Sequence, residues 1–158
     1  MNILAALRSV VADIAYRGTN YATEEEIRAE PFHLGDGHFG SGMYLAPNDN
    51  TALSYIDVEG DTPLLTEYKI EGRILVIKNN DGNHPIWTSR GKIPFATLET
   101  SEDVKDIVIN RQEDLGQAVL DAGYDAVLLT GDFVDGGEQY LIPKGSKAKL
   151  TIRDVDQL

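Results

Sequence analysis

Two tyrosines that follow a glycine-rich loop are the residues of this sequence best suited to chemistry on a ligand. The stretch 39–46 contains Gly40 and Gly42 and leads into Tyr44, and Tyr55 follows on the next predicted helix. Glycines let a backbone approach a ligand without interference from a Cβ atom. If the helix folds back over the strand that carries Tyr44, the two rings could hold a flat, electron-poor ring such as nicotinamide between them. The alternative is a pair of core tyrosines beside a flexible loop.

Histidine side chains offer a second kind of chemistry, metal binding. His33 and His38 lie in the glycine-rich loop, His84 lies far along the chain, and the sequence has no cysteine. Zinc sites normally use three or four protein ligands, so these residues predict no metal site. His38 either contacts the phosphates or adenosine of a bound cofactor or is exposed to solvent.

The segments that must position these residues alternate between helix and strand patterns. Apolar residues at helical spacing over 4–14 predict a first helix that runs into the end of a short strand at 16–19. Thr23 followed by Glu26 is a capping-box pattern and predicts the start of a short helix. The remaining predicted elements are a helix over Glu24–Glu30, an irregular loop over 33–42, a strand over 43–46, a helix carrying Ala52 to Tyr55, strands over Leu64–Ile70 and Arg73–Ile77 joined by Glu71-Gly72, irregular chain over 79–97, helices from Ser101 and over Glu113–Ala122, and strands over Asp125–Leu129, Glu138–Ile142 and Lys149–Arg153. Helices early, strands late and hairpin-length connections indicate an α+β fold.

Length, charge and composition limit the classes of protein to which the chain can belong. Its 158 residues suit one domain over 1–158, and no apolar run approaches the roughly 20 residues of a membrane helix. The formal net charge of −12 disfavours nucleic-acid binding, because an acidic surface repels phosphate backbones, and is compatible with a basic protein partner. The absence of cysteine excludes disulfides and thiolate metal sites and favours a cytoplasmic protein.

Several segments together resemble a known family, the poly(ADP-ribose) polymerase-like branch of the ADP-ribosyltransferases. The family's nicotinamide-site signature is similar to Gly40-Ser41-Gly42-Met43-Tyr44-Leu45-Ala46 with Ser54-Tyr55 downstream. Its first-strand motif is similar to Tyr16-Arg17-Gly18-Thr19, and its closing strands are similar to the segments that begin at Gly123 and Glu138. The resemblance implies an ADP-ribosyltransferase fold, in which two small antiparallel or mixed β-sheets and flanking helices surround an NAD⁺ cleft.

The resemblance also implies a role for each matching residue. Arg17 would hold a ribose hydroxyl or a phosphate of NAD⁺, which suits the bidentate fork of its guanidinium. Gly18 would pair its backbone with the nicotinamide carboxamide, and Tyr44 and Tyr55 would stack on the nicotinamide ring. The loop over 132–137, before the catalytic strand, would meet the target. The implied cofactor-binding set is Arg17, Gly18, Thr19, His38, Gly42, Tyr44, Ser54 and Tyr55.

The sequence departs from the family at two positions. The polymerases have histidine where this chain has Arg17, which is similar to the toxin-like branch. The family's catalytic glutamate directly precedes a pair like Tyr140-Leu141, so that Gln139 takes its position and Glu138 comes one residue earlier. Glutamine keeps a hydrogen bond to the ribose but supplies no charge to an oxocarbenium-like transition state. Either a shift or bulge points Glu138 inward, or Gln139 serves in a transferase with modest chemistry, or the site binds without turnover.

These features predict an enzyme that uses NAD⁺ as a substrate. It would be a mono-ADP-ribosyltransferase that modifies a macromolecule, by preference a protein, and releases nicotinamide, with Arg17, Tyr44 and either Glu138 or Gln139 as its catalytic set. The alternatives are an NAD⁺ glycohydrolase and a catalytically silent module that binds NAD⁺, ADP-ribose or a partner. The family further implies a small bacterial or phage effector or toxin in a host cytoplasm, with an inhibitor or immunity protein as a second partner.

Overall fold

Strands dominate the part of the chain that the structure describes. The computed structural model describes residues 10–37, 40–56, 62–79, 98–99, 115–131 and 138–158. Its elements in chain order are β1 (Val10–Thr19), α1 (Glu24–Ala29), β2 (Gly35–Gly37), β3 (Gly40–Leu45), α2 (Asp49–Leu53), β4 (Leu64–Asn79), β5 (Leu98–Glu99), α3 (Leu115–Asp121), β6 (Ala126–Gly131), β7 (Gln139–Pro143) and β8 (Lys149–Gln157). The protein is therefore α+β, with short helices around a mixed sheet, and at this level the predicted fold class is confirmed.

The strands form one sheet that curls back on itself. Its order is β1-β4-β6-β7-β3-β2, with β5 and β8 added along β4. Among the described strands, β4 and β6 pair in parallel and the other pairs are antiparallel. At the end of β3, Ala46 exchanges two backbone hydrogen bonds of 2.8 Å with Tyr16 on β1. These bonds join β3 back to β1 and close one side of the curl.

The two faces of the curled sheet pack into separate apolar clusters. The central cluster comprises Ala15, Ile27, Met43, Leu45, Leu64, Tyr68, Ile70, Ile74, Ala126, Tyr140 and Ile142. The α3 cluster comprises Leu75, Ile77, Leu115, Val119, Tyr124, Val127, Leu129 and Leu141. Successive side chains of a strand point to opposite faces, so Met43 and Leu45 join the central cluster while Tyr44 packs against the α3 cluster. A residue's place in its strand thus decides which cluster its side chain meets.

The predicted first helix is wrong over its second half. Residues 10–14 belong to β1, which pairs with β4 from Val10–Arg73 to Thr19–Leu64. Val10, Val11 and Ile14 are β-branched and favour a strand once a partner strand is available. Residues 1–9 lie outside the described residues, as do the predicted helix from Ser101 and nearly all of the segment 79–97.

Two further segments, which the sequence predicts to be a turn and a loop, belong to strands in the structure. Leu64–Asn79 is one continuous strand, not two strands joined by a turn at Glu71-Gly72. Gly72 leaves room for the Asp125 side chain, which would lie 3.1 Å from an added Cβ atom and which accepts the Arg73 amide at 2.8 Å. The predicted irregular loop over 33–42 contains β2 and the start of β3, which pair with each other from Gly35–Gly42 to Gly37–Gly40.

Other local predictions are confirmed. The Thr23 hydroxyl accepts the Glu26 amide at 3.2 Å and completes the capping box of α1, which ends before Pro31. α3 is followed by Gly123, whose φ of 92° provides the left-handed C′ position. β6, β7 and β8 lie within a few residues of the predicted closing strands. None of the helices in the described ranges is long and apolar enough to cross a bilayer.

Candidate functional site

The segment Tyr16 to Thr19 lies where β1 and β3 separate. One edge of β1 pairs with β4 throughout, with Arg17 opposite Thr66. Its other edge meets β3 through the isolated Tyr16–Ala46 pair. Beyond that pair the chain leaves β3, enters α2 and crosses beside Gly18. The split between β1 and β3 is therefore lined by two of the segments that the sequence analysis singled out.

Gly18 is in close contact with the end of α2 and with Ile56, which follows it. A Cβ atom on Gly18 would lie 2.5 Å from the Ala52 carbonyl oxygen and 2.5 Å from Cγ1 of Ile56. The Asn48 side chain caps α2 by accepting the Thr51 amide at 2.8 Å. Glycine at position 18 thus allows α2 to lie directly against β1.

Ser54 and Tyr55 follow α2 in a turn, so the prediction that Tyr55 lies on the helix is wrong. The Tyr55 side chain is 57% exposed, and its backbone carbonyl accepts a hydrogen bond of 3.2 Å from the Asn20 side chain. The Ser54 hydroxyl donates to the Thr51 carbonyl at 2.6 Å. The ring of Tyr55 is therefore available to a ligand at the surface beside the split.

Tyr44, Gly42 and Gln139 share the face of the sheet that carries α3. Tyr44 pairs with Leu141 and is half-buried against the α3 cluster, and alternation along β7 puts Gln139 on the same face. A Cβ atom on Gly42 would lie 2.6 Å from the Ile142 carbonyl oxygen. Gly42 therefore serves the packing of β3 on β7 in this arrangement.

Glu138 lies on the opposite face from Gln139. It begins the turn into β7, and its carboxylate accepts a hydrogen bond of 2.6 Å from the Thr130 hydroxyl on β6. Two residues further, the Tyr140 hydroxyl donates to Asp13 of β1 at 2.7 Å. Burial, then the hydrogen bond to Asp13 and the nearby carboxylates, raise the pKa of Tyr140 well above its usual range. Through Tyr140, this face of β7 is therefore hydrogen-bonded to β1.

Arg17 points towards the central-cluster side, on the same face as Thr66 and Tyr68. Its guanidinium is close enough to lower the pKa of His33, after the larger effect of burial. It also lowers the pKa of Tyr68, although burial outweighs it and the net shift is upward. A hydrogen bond from Arg17 contributes to this lowering, although within the described residues the Tyr68 hydroxyl makes no hydrogen bond of good geometry. Arg17 therefore acts electrostatically on a buried polar group that includes Tyr68 and His33.

The structure divides the predicted site residues by face. Arg17, Thr19 and Glu138 belong to the side of the central cluster, whereas Gly42, Tyr44 and Gln139 belong to the side of α3. Gly18, Ser54 and Tyr55 lie at the split between β1 and β3 or in the turn beside it, and His38 lies outside the described residues. The division does not by itself separate the residues into two sites, because a ligand in the split between two strands can touch both faces.

Sequence reasoning missed several polar residues that share the face of Arg17. They are Asp13, Thr66, Tyr68, Thr130 and Tyr140. A signal for the first was present: Asp13, Arg17 and Thr19 are separated by even numbers of positions, so all three share a face if the segment is a strand. Helical spacing hid that pattern. The polar residues of β4 and β7 reach this face through strand pairing, so no local pattern in the sequence predicts them.

No protein-family model matches the chain, and no curated protein or solved structure matches it either. Function is therefore inferred from the chain's own residues and from their arrangement in the fold.

Proposed function

We propose that the chain is an NAD⁺-dependent mono-ADP-ribosyltransferase with an ADP-ribosyltransferase-type fold. It transfers ADP-ribose to a macromolecular target, by preference a protein, and releases nicotinamide. NAD⁺ binds at the split between β1 and β3 and contacts both faces of the sheet. The net charge of −12 favours a target with a basic surface.

The observation that carries the proposal is the meeting of three segments that are far apart in sequence. The first, 16–19, joins the end of the second, 40–46, through the paired backbones of Tyr16 and Ala46. Residues 42–45 of the second pair with residues 140–143 of the third, which spans 139–143. These are the segments whose residues resemble the family's motifs. Their adjacency supports one site, since a sheet of other topology would have kept them apart.

The residues at the split and on β3 beside it are suited to the nicotinamide, ribose and phosphate groups of NAD⁺. The exposed ring of Tyr55 offers an aromatic face to the cationic nicotinamide ring, and the half-buried Tyr44 lies across β3 from the central cluster. The Arg17 guanidinium offers paired donors to a phosphate or to ribose hydroxyls. Binding energy from these contacts would hold the ribose where its C1′ atom can react.

The reaction requires a negative charge near the ribose. An acceptor nucleophile attacks C1′ while the bond to the pyridinium nitrogen breaks, and its electron pair leaves with neutral nicotinamide. The ribose passes through an oxocarbenium-like state that a carboxylate stabilises. Of the two adjacent candidates only Glu138 carries a charge, and the Thr130 hydroxyl holds its carboxylate at 2.6 Å. We therefore assign Glu138 as the stabilising carboxylate and the base that takes the acceptor's proton.

Nicotinamide release from NAD⁺, measured with the purified chain in a lysate from a plausible host, tests the proposal. Glu138→Gln keeps the size of the side chain and removes its charge, so release should fall by about a hundredfold or more. Gln139→Ala should lower it much less. Glu25→Gln, which removes an exposed carboxylate on α1, is the matched control and should leave release unchanged.

The fate of the ADP-ribose distinguishes the outcomes. Label that appears on a discrete lysate protein and disappears with Glu138→Gln establishes a transferase. Fast release without any acceptor supports the glycohydrolase instead. Tight NAD⁺ binding without release would reduce the site to a binding module, and a larger loss in Gln139→Ala than in Glu138→Gln would reverse the assignment of the two residues.

A further inference from the structure

Several large apolar side chains that remain exposed belong to one end of the sheet. Among the described residues, the Tyr21 side chain is 80% exposed, Tyr55 is 57% exposed and Leu158 is 51% exposed. Leu53, at the end of α2 and two residues before Tyr55, is also exposed. We call these four residues the Tyr21 patch. Single exposed apolar side chains are ordinary, whereas a group of them in one place marks a surface that binds a partner.

Hydrogen bonds hold the backbones of the patch side by side. The Asn20 side chain donates to the Tyr55 carbonyl at 3.2 Å, and Tyr21 directly follows Asn20. The Asn20 carbonyl accepts the Thr62 amide at 2.9 Å. The carbonyl of the residue after Thr62 accepts the Leu158 amide at 3.0 Å. The patch therefore runs along the edge of the sheet at which β1 ends, β4 begins and β8 ends.

Acidic side chains lie on the outer face of the sheet next to the patch. Strand pairing sets Glu67 of β4 between Tyr16 of β1 and Asp154 of β8. Asp156 lies on the same face, two residues nearer the end of β8. Burial, then the carboxylates of Glu67 and Asp49, raise the pKa of Tyr16, so Asp49 of α2 also acts on this face. We call Asp49, Glu67, Asp154 and Asp156 the acidic face.

The cations on this side of the sheet leave the acidic face negative. The Arg153 guanidinium is within range of Glu67, with Nε 3.5 Å from Oε2. Further from the patch, Lys69 pairs with Glu71 at 2.6 Å. One guanidinium therefore stands against the four carboxylates of the acidic face, within a chain whose net charge is −12. Such a surface repels nucleic acid, an anionic lipid surface and a second copy of the same chain, and it attracts a basic partner.

We propose that the Tyr21 patch and the acidic face together form a docking surface for a basic protein segment. Arginine or lysine side chains of the segment stack on the exposed tyrosine rings and pair with Asp154 and Asp156, while their aliphatic stems cover Leu158. Tyr55 also borders the split between β1 and β3, so a docked segment lies beside the candidate NAD⁺ site. That link to a modified target rests on the proposed function, whereas the docking surface does not.

A labelled oligo-arginine peptide, with its lysine and glutamate counterparts, tests the surface. Each peptide is titrated into the full chain without NAD⁺, at about 0.15 M ionic strength, and binding is followed by fluorescence anisotropy. Tyr21→Leu keeps an apolar side chain but removes the aromatic face, so affinity for the arginine peptide should fall about two- to fivefold. Tyr21→Phe keeps that face and should bind like the wild type. Both variants should keep the thermal midpoint, because Tyr21 is exposed.

Val76→Ala is the matched control for the tyrosine variants. Val76 is also exposed, but it lies in the part of β4 that pairs with β6, far along the strand from the patch, and its loss should leave affinity unchanged. Asp156→Lys reverses one charge of the acidic face and should weaken binding about threefold or more. Asp121→Lys makes the same change of net charge on α3 and should weaken binding clearly less, because salt screens distant charges.

The outcomes separate the docking surface from a general attraction to an acidic protein. Weaker binding in Tyr21→Leu and Asp156→Lys, with both controls near the wild type, supports the surface. The proposal is overturned if neither cationic peptide binds the wild type, if the control variants lose as much affinity as the test variants, or if the glutamate peptide binds equally well. Peptide binding without nicotinamide release would leave the surface standing and remove the enzyme. Release without peptide binding would do the reverse.

Discussion

Replacing Gly18 by alanine perturbs the contact on which the candidate site is built. The added Cβ atom would lie 2.5 Å from the Ala52 carbonyl oxygen and 2.5 Å from Cγ1 of Ile56, whereas ordinary contact begins at 3.4 Å. The chain at the end of α2 would have to retreat by about 0.9 Å. The Ile56 side chain can adjust by rotation, but the Ala52 carbonyl belongs to the backbone and also accepts the Tyr55 amide at 3.2 Å. Strain is therefore expected.

Two opposing effects determine how much Gly18→Ala changes the free energy of unfolding. Overpacking of this kind costs about 1 to 3 kcal/mol, because the backbone must shift. Alanine also restricts the unfolded chain and returns about 0.4 to 1 kcal/mol. We expect Gly18→Ala to lower the free energy of unfolding by about 1 to 2 kcal/mol. For a domain of this size the thermal midpoint would fall by about 2 to 8 °C.

Gly35→Ala is the matched control for this prediction. Gly35 also lies in a strand without positive φ, and its nearest foreign atom would be 3.6 Å from an added Cβ. That variant should be as stable as the wild type or slightly more stable. Urea unfolding followed by circular dichroism measures both variants. Equal stability of Gly18→Ala and the wild type would show that α2 does not press on β1, and the reasoning about the split would then fail.

Two further predictions concern the bond between Tyr140 and Asp13. Tyr140→Phe should cost about 1.5 to 3 kcal/mol, because Asp13 loses its hydroxyl donor, and a double-mutant cycle with Asp13→Asn in urea should give a coupling of about 1 kcal/mol or more. Additive effects would mean that the bond contributes nothing. Burial, followed by this bond, raises the pKa of Tyr140, so the folded chain holds the phenolic proton more tightly than the unfolded chain, where the pKa is about 10. The resulting stability is present below about pH 10 and is lost as the pH rises further. The free energy of unfolding, measured from about pH 9 to 11, should therefore decline less steeply with pH in Tyr140→Phe than in the wild type. An identical slope in both proteins would contradict this cause.

Local signals in the sequence predicted the elements whose ends are determined by nearby residues. Thr23 and Glu26 are three residues apart and cap α1 without help from the rest of the chain. Gly123 ends the turn after α3 because glycine adopts a positive φ at little cost. The start of β1 was not predicted because apolar residues over 4–14 fit helical spacing. Residues 10–14 form a strand because β4 provides a partner strand.

The sequence by itself determined which residue types this protein has for chemistry: an arginine before a glycine, two tyrosines after a glycine-rich stretch, and an adjacent Glu138 and Gln139. Only the tertiary structure decided which of them share a face. A shift of one residue in the pairing of β7 with β3 and β6 would exchange Glu138 and Gln139, and no local pattern determines that pairing. The polar group around Arg17 also depends on β4, more than forty residues away in sequence, because Thr66 and Tyr68 reach it only through the register of β1 and β4.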